Sequence, residues 1–148
     1  MQSTWTVGPA KSDDLPEIFT LLEGCDLPKQ GLAPHLTTTL VARYGKEIVG
    51  CAALEVYQDS ALLRSVAVKS AYRKQGIASR LTRAALDLAR EYHVTMVYLL
   101  TETASRFFSK RGFVQVHRSD VAEVVKQSIE FTTICPGTAT VMMKAVDQ

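Results

Sequence analysis

The stretch Leu62 to Ala78, LLRSVAVKSAYRKQGIA, limits the possible folds more than any other part of the chain. Its first seven residues are apolar except for Arg64 and Ser65, which predicts a strand buried on both faces. A short polar link, Lys69 to Tyr72, leads into Arg73-Lys74-Gln75-Gly76-Ile77-Ala78, which runs directly into a helical pattern. A strand, a basic glycine-containing turn and a helix N-terminus make an anion site. The N–H groups of the turn and of the first helical turn point the same way, and the helix dipole adds partial positive charge. Gly76 allows close approach of a phosphate to the backbone, and Arg73 and Lys74 bring full charges.

The rest of the chain is expected to wrap a mixed sheet around this unit. Thr4 to Ala10 reads as a first strand. A helix follows to about Gly24, with Asp14 and Glu17 spaced as a capping box. Pro28, Gly31 and Pro34 make Cys25 to Leu36 a loop or broken helix. Thr38 to Tyr44 and Glu47 to Tyr57 are predicted strands joined by Gly45-Lys46, a hairpin signal. The helix from about Gly76 to Tyr92 carries Ile77, Leu81, Ala85 and Leu88 on one stripe. Met96 to Leu100 is another apolar strand, and Thr103 to Lys110 a short helix closed by Gly112. Phe113 to Val116 begins a strand, Asp120 with Glu123 is spaced to cap a short helix, and Ile129 to Ile134 and Thr140 to Ala145 read as final strands. The expected fold class is α/β (α+β), about seven strands with about four helices, in one domain over residues 4–146.

At 148 residues the chain is long enough for a core of its own. A net charge of +2 is too small to argue for nucleic acid as a partner. No apolar run approaches the ~20 residues needed to span a bilayer, and the N-terminus lacks a signal-peptide pattern, so no membrane is expected. Cys25, Cys51 and Cys135 are odd in number and widely spaced, which suits reduced thiols in a cytoplasmic protein. No spacing of cysteine and histidine suggests a metal.

The pattern R-x-x-G-x-A after a strand ending V-A-V resembles the acetyl-CoA-binding motif of the GNAT superfamily of N-acyltransferases. The resemblance runs from roughly Thr4 to Val146. It implies a GNAT fold whose central strands splay around CoA, acetyl-CoA as cosubstrate, and a small-molecule amine as acceptor, in a monomer or homodimer. The turn would then hold the CoA pyrophosphate through Arg73, Lys74, Gln75, Gly76, Ile77, Ala78 and Ser79. The backbone of Val66, Ala67 and Val68 would pair with the pantetheine arm. LLRSVAV, YLLTETASRFF with RGF, and F-T-x-x-C-P-x-x-A-x-x-M look like the small GNAT acetyltransferases of arsenic-resistance operons. L-T-x-T-A-x-x-F-F-x-x-x-G-F is also similar to the acetyltransferase domain of N-acetylglutamate synthase. Both comparisons imply an acceptor that is a small α-amino acid or an analogue, including amino-acid-like toxins and arsenicals. Two positions depart from the family. Phe108 stands beside the cofactor where many members carry the tyrosine that protonates the CoA thiolate. Leu62 stands about where a glutamate base is frequent.

Strict alternation along the central strand puts Leu62, Arg64, Val66 and Val68 on one face, with Arg64 at the acetyl end. Arg64 is either a fork for an acceptor carboxylate or the ion-pair partner of Glu55 or another strand carboxylate. Glu55 is either a base acting through water or that partner. His35 is a substrate-binding or proton-relay candidate, or a surface loop residue. Tyr98 either donates the missing proton or packs. Thr101 and Thr103 place hydroxyls near the expected sulfur, and Thr103 suits an N-cap equally. Cys51 and Cys135 are read as buried packing residues before arsenic ligands. The chemistry expected is direct transfer, with the amine deprotonated first and the oxyanion held by the backbone N–H of Val66 or a neighbour. The alternatives are a non-catalytic module sensing acyl-CoA or an amino acid, and a protein or peptide acetyltransferase.

Overall fold

The computed structural model describes residues 4–134 and 139–147, with backbone alone at 133 and 134. Seven strands form one sheet: β1 (Thr6–Pro9), β2 (Thr39–Tyr44), β3 (Glu47–Tyr57), β4 (Ser60–Val68), β5 (Met96–Thr101), β6 (Val114–Val116) and β7 (Thr140–Ala145). Their order is β1-β2-β3-β4-β5-β7-β6. The α-helices are α1 (Leu15–Gly24), α2 (Ile77–Glu91) and α3 (Ser105–Ser109).

Local chemistry sets this order. Tyr44 pairs with Glu47 across the Gly45-Lys46 turn, and Tyr57 with Ser60 across Gln58-Asp59. Gly45 and Gln58 take φ of +63° and +60°, as tight antiparallel hairpins require. The connection from β4 to β5 instead carries a whole helix, α2, which permits a parallel pair. All other pairings are antiparallel.

The core is split by the sheet. On one face Ile77, Leu81, Ala85 and Ala89 of α2 pack on Val49, Leu54, Leu63 and Leu99. Leu88, expected on that stripe, is half-buried at its edge. On the other face Ile18, Leu21 and Leu22 of α1 meet Ile48, Cys51 and Ala53. A smaller cluster beside them joins Leu62 and Tyr98 to Val121, Val125 and Val141.

Three local expectations give way to tertiary contacts. Glu17 does not close a capping box with Asp14; its carboxylate accepts from the Ile48 N–H at 2.9 Å, tying α1 to β3. Asp14 accepts from the Lys11 N–H at 2.7 Å and from Arg43. Asp120 caps no α-helix; 3-10 turns occupy Arg118–Asp120 and Val125–Gln127. The β-branched run from Ile129 to Ile134 is not a strand. Residues Glu130–Ile134 form a π-helical turn, and at its start the Phe131 and Thr132 N–H groups bond back to the Ser128 carbonyl at 3.0 and 3.1 Å.

One irregularity matters more than these. Cys51 pairs with Ala67 and Ala53 with Arg64, so Ala52 faces two residues of β4, Ser65 and Val66. Ser65 takes φ +62°, the left-handed conformation that accommodates the extra residue. The bulge reverses the alternation beyond it. Leu62 and Arg64 lie on the α1 face, whereas Val66 and Val68 lie on the α2 face with Leu63. These four residues therefore do not share a side.

Leu81 is fully buried under α2. Leu81→Ala is expected to lower unfolding free energy by about 2–5 kcal/mol, and Leu88→Ala at the half-buried edge by clearly less. Urea denaturation of the two variants measures the difference.

Candidate functional site

β4 and β5 pair only from Ser60↔Met96 to Leu63↔Leu99. Beyond those residues they part, and a cleft of about 960 Å³ opens between them. One end of the cleft is basic and the other holds a buried charged cluster.

At the basic end, the Lys69 N–H returns to the Val49 carbonyl at 2.8 Å and a single 3-10 turn, Ser70–Tyr72, redirects the chain. Lys74 and Gly76 then both take left-handed conformations, φ +66° and +84°. A Cβ placed on Gly76 would meet nothing within 4 Å, so the backbone here faces open space. Ile77, Ala78 and Ser79, the first turn of α2, line the cleft with Arg73, Lys74 and Gly76. Their unpaired N–H groups and the two cations fit a pyrophosphate. Gln75 is exposed and does not line the cleft. Arg73 is held in place by its Nε, which donates to the Val68 carbonyl at 3.1 Å.

Arg111, in the R-G-F tripeptide, has no role among the expectations from sequence alone. Its guanidinium lies 3.7 Å from the Phe107 ring centroid, and its Nε donates to Ser79 Oγ at 3.3 Å. It thus adds a third cation to the cleft wall near the start of α2.

Between the two ends, Val66, Ala67 and Val68 form one wall, and Thr101, Thr103 and Phe108 stand on the other. Thr101 Oγ1 accepts from the Ala104 N–H at 3.0 Å, so Thr101 caps the approach to α3 and Thr103 does not. Phe108 is packed edge-to-face against Phe107 and Phe113, at 5.0 and 5.7 Å between centroids. It offers no proton at the cleft. Tyr98 is buried with Leu62 on the α1 face and does not line the cleft, which removes it as the donor.

At the other end Arg64 is fully buried. Its Nη1 donates to Glu55 Oε2 at 2.8 Å, and its Nε lies 3.1 Å from both Ser65 Oγ and Glu130 Oε2. Its Nη2 donates to the carbonyls of Pro28 and Gln30, at 3.3 and 2.8 Å. Arg64 therefore makes the ion pair with Glu55 and also ties down the Cys25–Leu36 loop. Gly31 in that loop is pressed so close that a Cβ would lie 2.5 Å from Ile129 Cγ2. With these bonds in place, a two-pronged grip on an acceptor carboxylate is not available to Arg64.

Glu55 is 1% exposed and sits behind Arg64, off the cleft wall. Burial alone would raise its pKa. Hydrogen bonds from Ser128, Tyr57 and Arg64, with the Arg64 charge, hold it below the ordinary carboxylate value. Off the cleft wall, its carboxylate does not face an acceptor lying there. His35 Nε2 is 3.9 Å from Glu55 Oε1, and its ring meets Tyr57 edge-on; it too is off the cleft. Cys51 is buried, its pKa raised to about 12 chiefly by desolvation, and its thiol donates to the Ser65 carbonyl at 3.1 Å. It secures the bulge. Cys135 lies outside the described residues. Among the described residues no cluster of side chains suits a metal, and no helix is long and apolar enough to cross a membrane.

Glu130 is the functional candidate that sequence reasoning missed. It lines the cleft at 4% exposure beside Arg64. A run read as a strand hid the turn that aims it inward.

Comparison with known proteins agrees with this geometry. A family described as "Acetyltransferase (GNAT) domain" matches residues 35–115. An amino-acid acetyltransferase of Mycobacterium tuberculosis is 35% identical over 83 residues, 55% of this chain and 47% of the relative. The chain thus spans about half the length of that curated relative. N-acetylglutamate synthase from Neisseria gonorrhoeae, solved with coenzyme A and N-acetyl-glutamate, superposes with TM-score 0.84 at 19% identity, covering 100% of this chain and 36% of that one. Rv2747 from Mycobacterium tuberculosis, solved in a complex with CoA, superposes with TM-score 0.81 at 23% identity, covering 96% and 99%.

The depressed pKa of Glu55 carries a sign. A carboxyl that ionises more readily in the folded state stabilises the fold above its unfolded value, near 4.5, and that contribution fades as pH falls through the lower folded value. Glu55→Gln is expected to cost about 3–5 kcal/mol at neutral pH by breaking a buried pair, and to flatten the loss of stability below pH ~4.5. Thermal melts of both proteins across an acid pH series check both effects.

Proposed function

Because this chain belongs to the GNAT acetyltransferase family, we propose that residues 4–146 act as one domain transferring acetyl from acetyl-CoA to the amino group of a small amino-acid-like acceptor. The observation that carries the reading is the cleft itself: a basic, left-handed turn at one end, a gap between β4 and β5, and a buried charged cluster at the other. The pyrophosphate of CoA is assigned to the Arg73–Ser79 turn, with Arg111 beside it. The pantetheine arm runs along the unpaired edge of β4, where Val66 to Val68 supply backbone groups.

The amine attacks the thioester carbon, and the oxygen becomes an oxyanion. The Val66 N–H is given the task of holding it; the bulge removes Val66 from regular register with β3, which supports that role. The C–S bond then breaks. Thr101 accepts a hydrogen bond through its oxygen, so its own hydroxyl proton remains to meet the thiolate. That assignment gives the position of Phe108 a substitute donor. Positioning of both reactants supplies much of the remaining rate.

Two observations support an acceptor of amino-acid size. The loop Cys25–Leu36 is pinned over the pocket by Arg64, which disfavours a long peptide groove. The matched relative from Mycobacterium tuberculosis is an amino-acid acetyltransferase. Resemblance to the arsenic-operon acetyltransferases adds toxins and arsenicals of amino-acid shape to the acceptors worth trying. The lack of a family-type acid at Phe108 and base at Leu62 favours one second reading, a sensor that binds acyl-CoA without turnover.

A thiol-release assay with acetyl-CoA decides between them over a panel of glutamate, other amino acids, phosphinothricin and a glutamate-like arsenical. Turnover with at least one amine is expected; acetyl-CoA binding without turnover on any member supports the sensor. Gly76→Asp should abolish acetyl-CoA binding, since it places a negative side chain on a left-handed residue inside the anion site. Calorimetry showing undiminished affinity with Gly76→Asp would remove the cofactor assignment.

A further inference from the structure

Resting on the acetyl-transfer reading, we infer that Glu130 is the carboxylate that receives the acceptor as its ammonium and removes the proton that blocks attack.

Among the described residues three carboxylates line the cleft, Asp26, Glu102 and Glu130. Asp26 and Glu102 are exposed to water; Glu130 is buried. Its position is built rather than incidental. Its N–H donates to Ser128 Oγ at 3.2 Å, the π-helical turn aims it inward, and its Oε2 lies 3.1 Å from Arg64 Nε. Arg64 stands one residue beyond the last β4–β5 pair, so Glu130 sits where the cleft begins, the end away from the basic turn. Because of the bulge, Arg64 and Glu130 approach from the α1 face while Val66 and Val68 lie on the α2 face. Acceptor and cofactor are thereby led to the same gap from opposite sides of the sheet.

The charges around this point favour a cation. Among the described residues, Arg64 lies within ion-pair distance of two buried carboxylates, Glu55 and Glu130. Other ionisable groups at the cluster, among the described residues, include Tyr57, whose hydroxyl donates to Glu55, and His35. An ammonium entering beside Glu130 meets a carboxylate where water is scarce and attraction is strong. The group that recognises the acceptor is therefore a carboxylate that selects the amine. Hydroxyl and thiol acceptors of the same shape are excluded.

The proton balance is complete. R–NH3+ gives one proton to Glu130, and the nitrogen lone pair forms the N–C bond with the thioester carbon. The C–S bond breaks with its electron pair on sulfur. The nitrogen loses a second proton, which ends on the thiolate as CoA–SH, and Glu130 returns its proton to solvent.

The test is Glu130→Gln in the full chain, assayed with each panel acceptor that the wild-type protein acetylates. Glutamine keeps the volume and an oxygen for Arg64 but loses the charge. Expected is a fall in kcat/KM of about 10²- to 10⁴-fold, the usual share of a general base, with unchanged calorimetric affinity for acetyl-CoA. The acid limb of the kcat/KM–pH profile should vanish, leaving a rate that climbs with the free-amine fraction. A purely structural role would lower stability without reshaping that profile. If Glu130→Gln does not fold, Glu130→Asp decides: it keeps a negative charge near Arg64 but shortens the side chain by one methylene, so kcat/KM should drop while acetyl-CoA affinity holds. Unchanged kcat/KM and pH profile in the variant that folds overturn this inference and leave the acetyltransferase reading standing. A wild-type protein that acetylates no amine overturns both.

Discussion

The site depends on two strands failing to pair. β4 and β5 are held together for four residues and then separate, so the middle of the sheet carries two backbone edges without strand partners. Sheet interiors rarely tolerate this, because unpaired backbone groups cost free energy unless something else satisfies them. Here the separation is kept by what fills either end. The basic turn and α2 fix the far end of β4, and the Arg64 cluster wedges the near end. Everything proposed for catalysis lies in the space this creates.

The Arg64 cluster is costly on its own. Desolvating a guanidinium and two carboxylates consumes several kcal/mol per ion, and pairing returns that only where the geometry is good. The return comes from many directions: β3 through Glu55, the loop through two carbonyls, and the π-helical turn through Glu130. The cluster thus joins three segments distant in sequence into one pocket floor. The hydrophobic core around it does not specify that convergence, since a well-packed apolar side chain at position 64 would fill the same space without aligning the loop.

The basic turn was legible in the sequence because it is local. Arg73, Lys74 and Gly76 act through charge, backbone and a helix start that adjacent residues define. The hairpins were legible for the same reason. The faces of β4 were not. Alternation is a rule for a regular strand, and nothing in SVAV announces that Ser65 adopts a left-handed conformation. The bulge also decides Arg64, which alternation places with Val66 and Val68 and which instead points away from them. Glu130 escaped for a related reason. A β-branched run favours a strand, yet hydrogen bonds to Ser128 and the pull of Arg64 wind it into a turn. Tyr98 failed as a donor because its position on β5 was known but its face was not.

The open edges of β4 and β5 have a consequence for how the protein would be seen in solution. Amides in a paired ladder exchange with solvent deuterium slowly, through local opening. Those facing the gap beyond Leu63 and Leu99 have no neighbouring strand to shield them. Two adjoining parts of one strand thus differ in protection: Ser60 to Leu63 are held between neighbours on both sides, and the residues that follow are held on one. A pantetheine arm lying in the gap would act as a missing strand, and its arrival would read out as newly slowed exchange confined to the cleft side of the sheet.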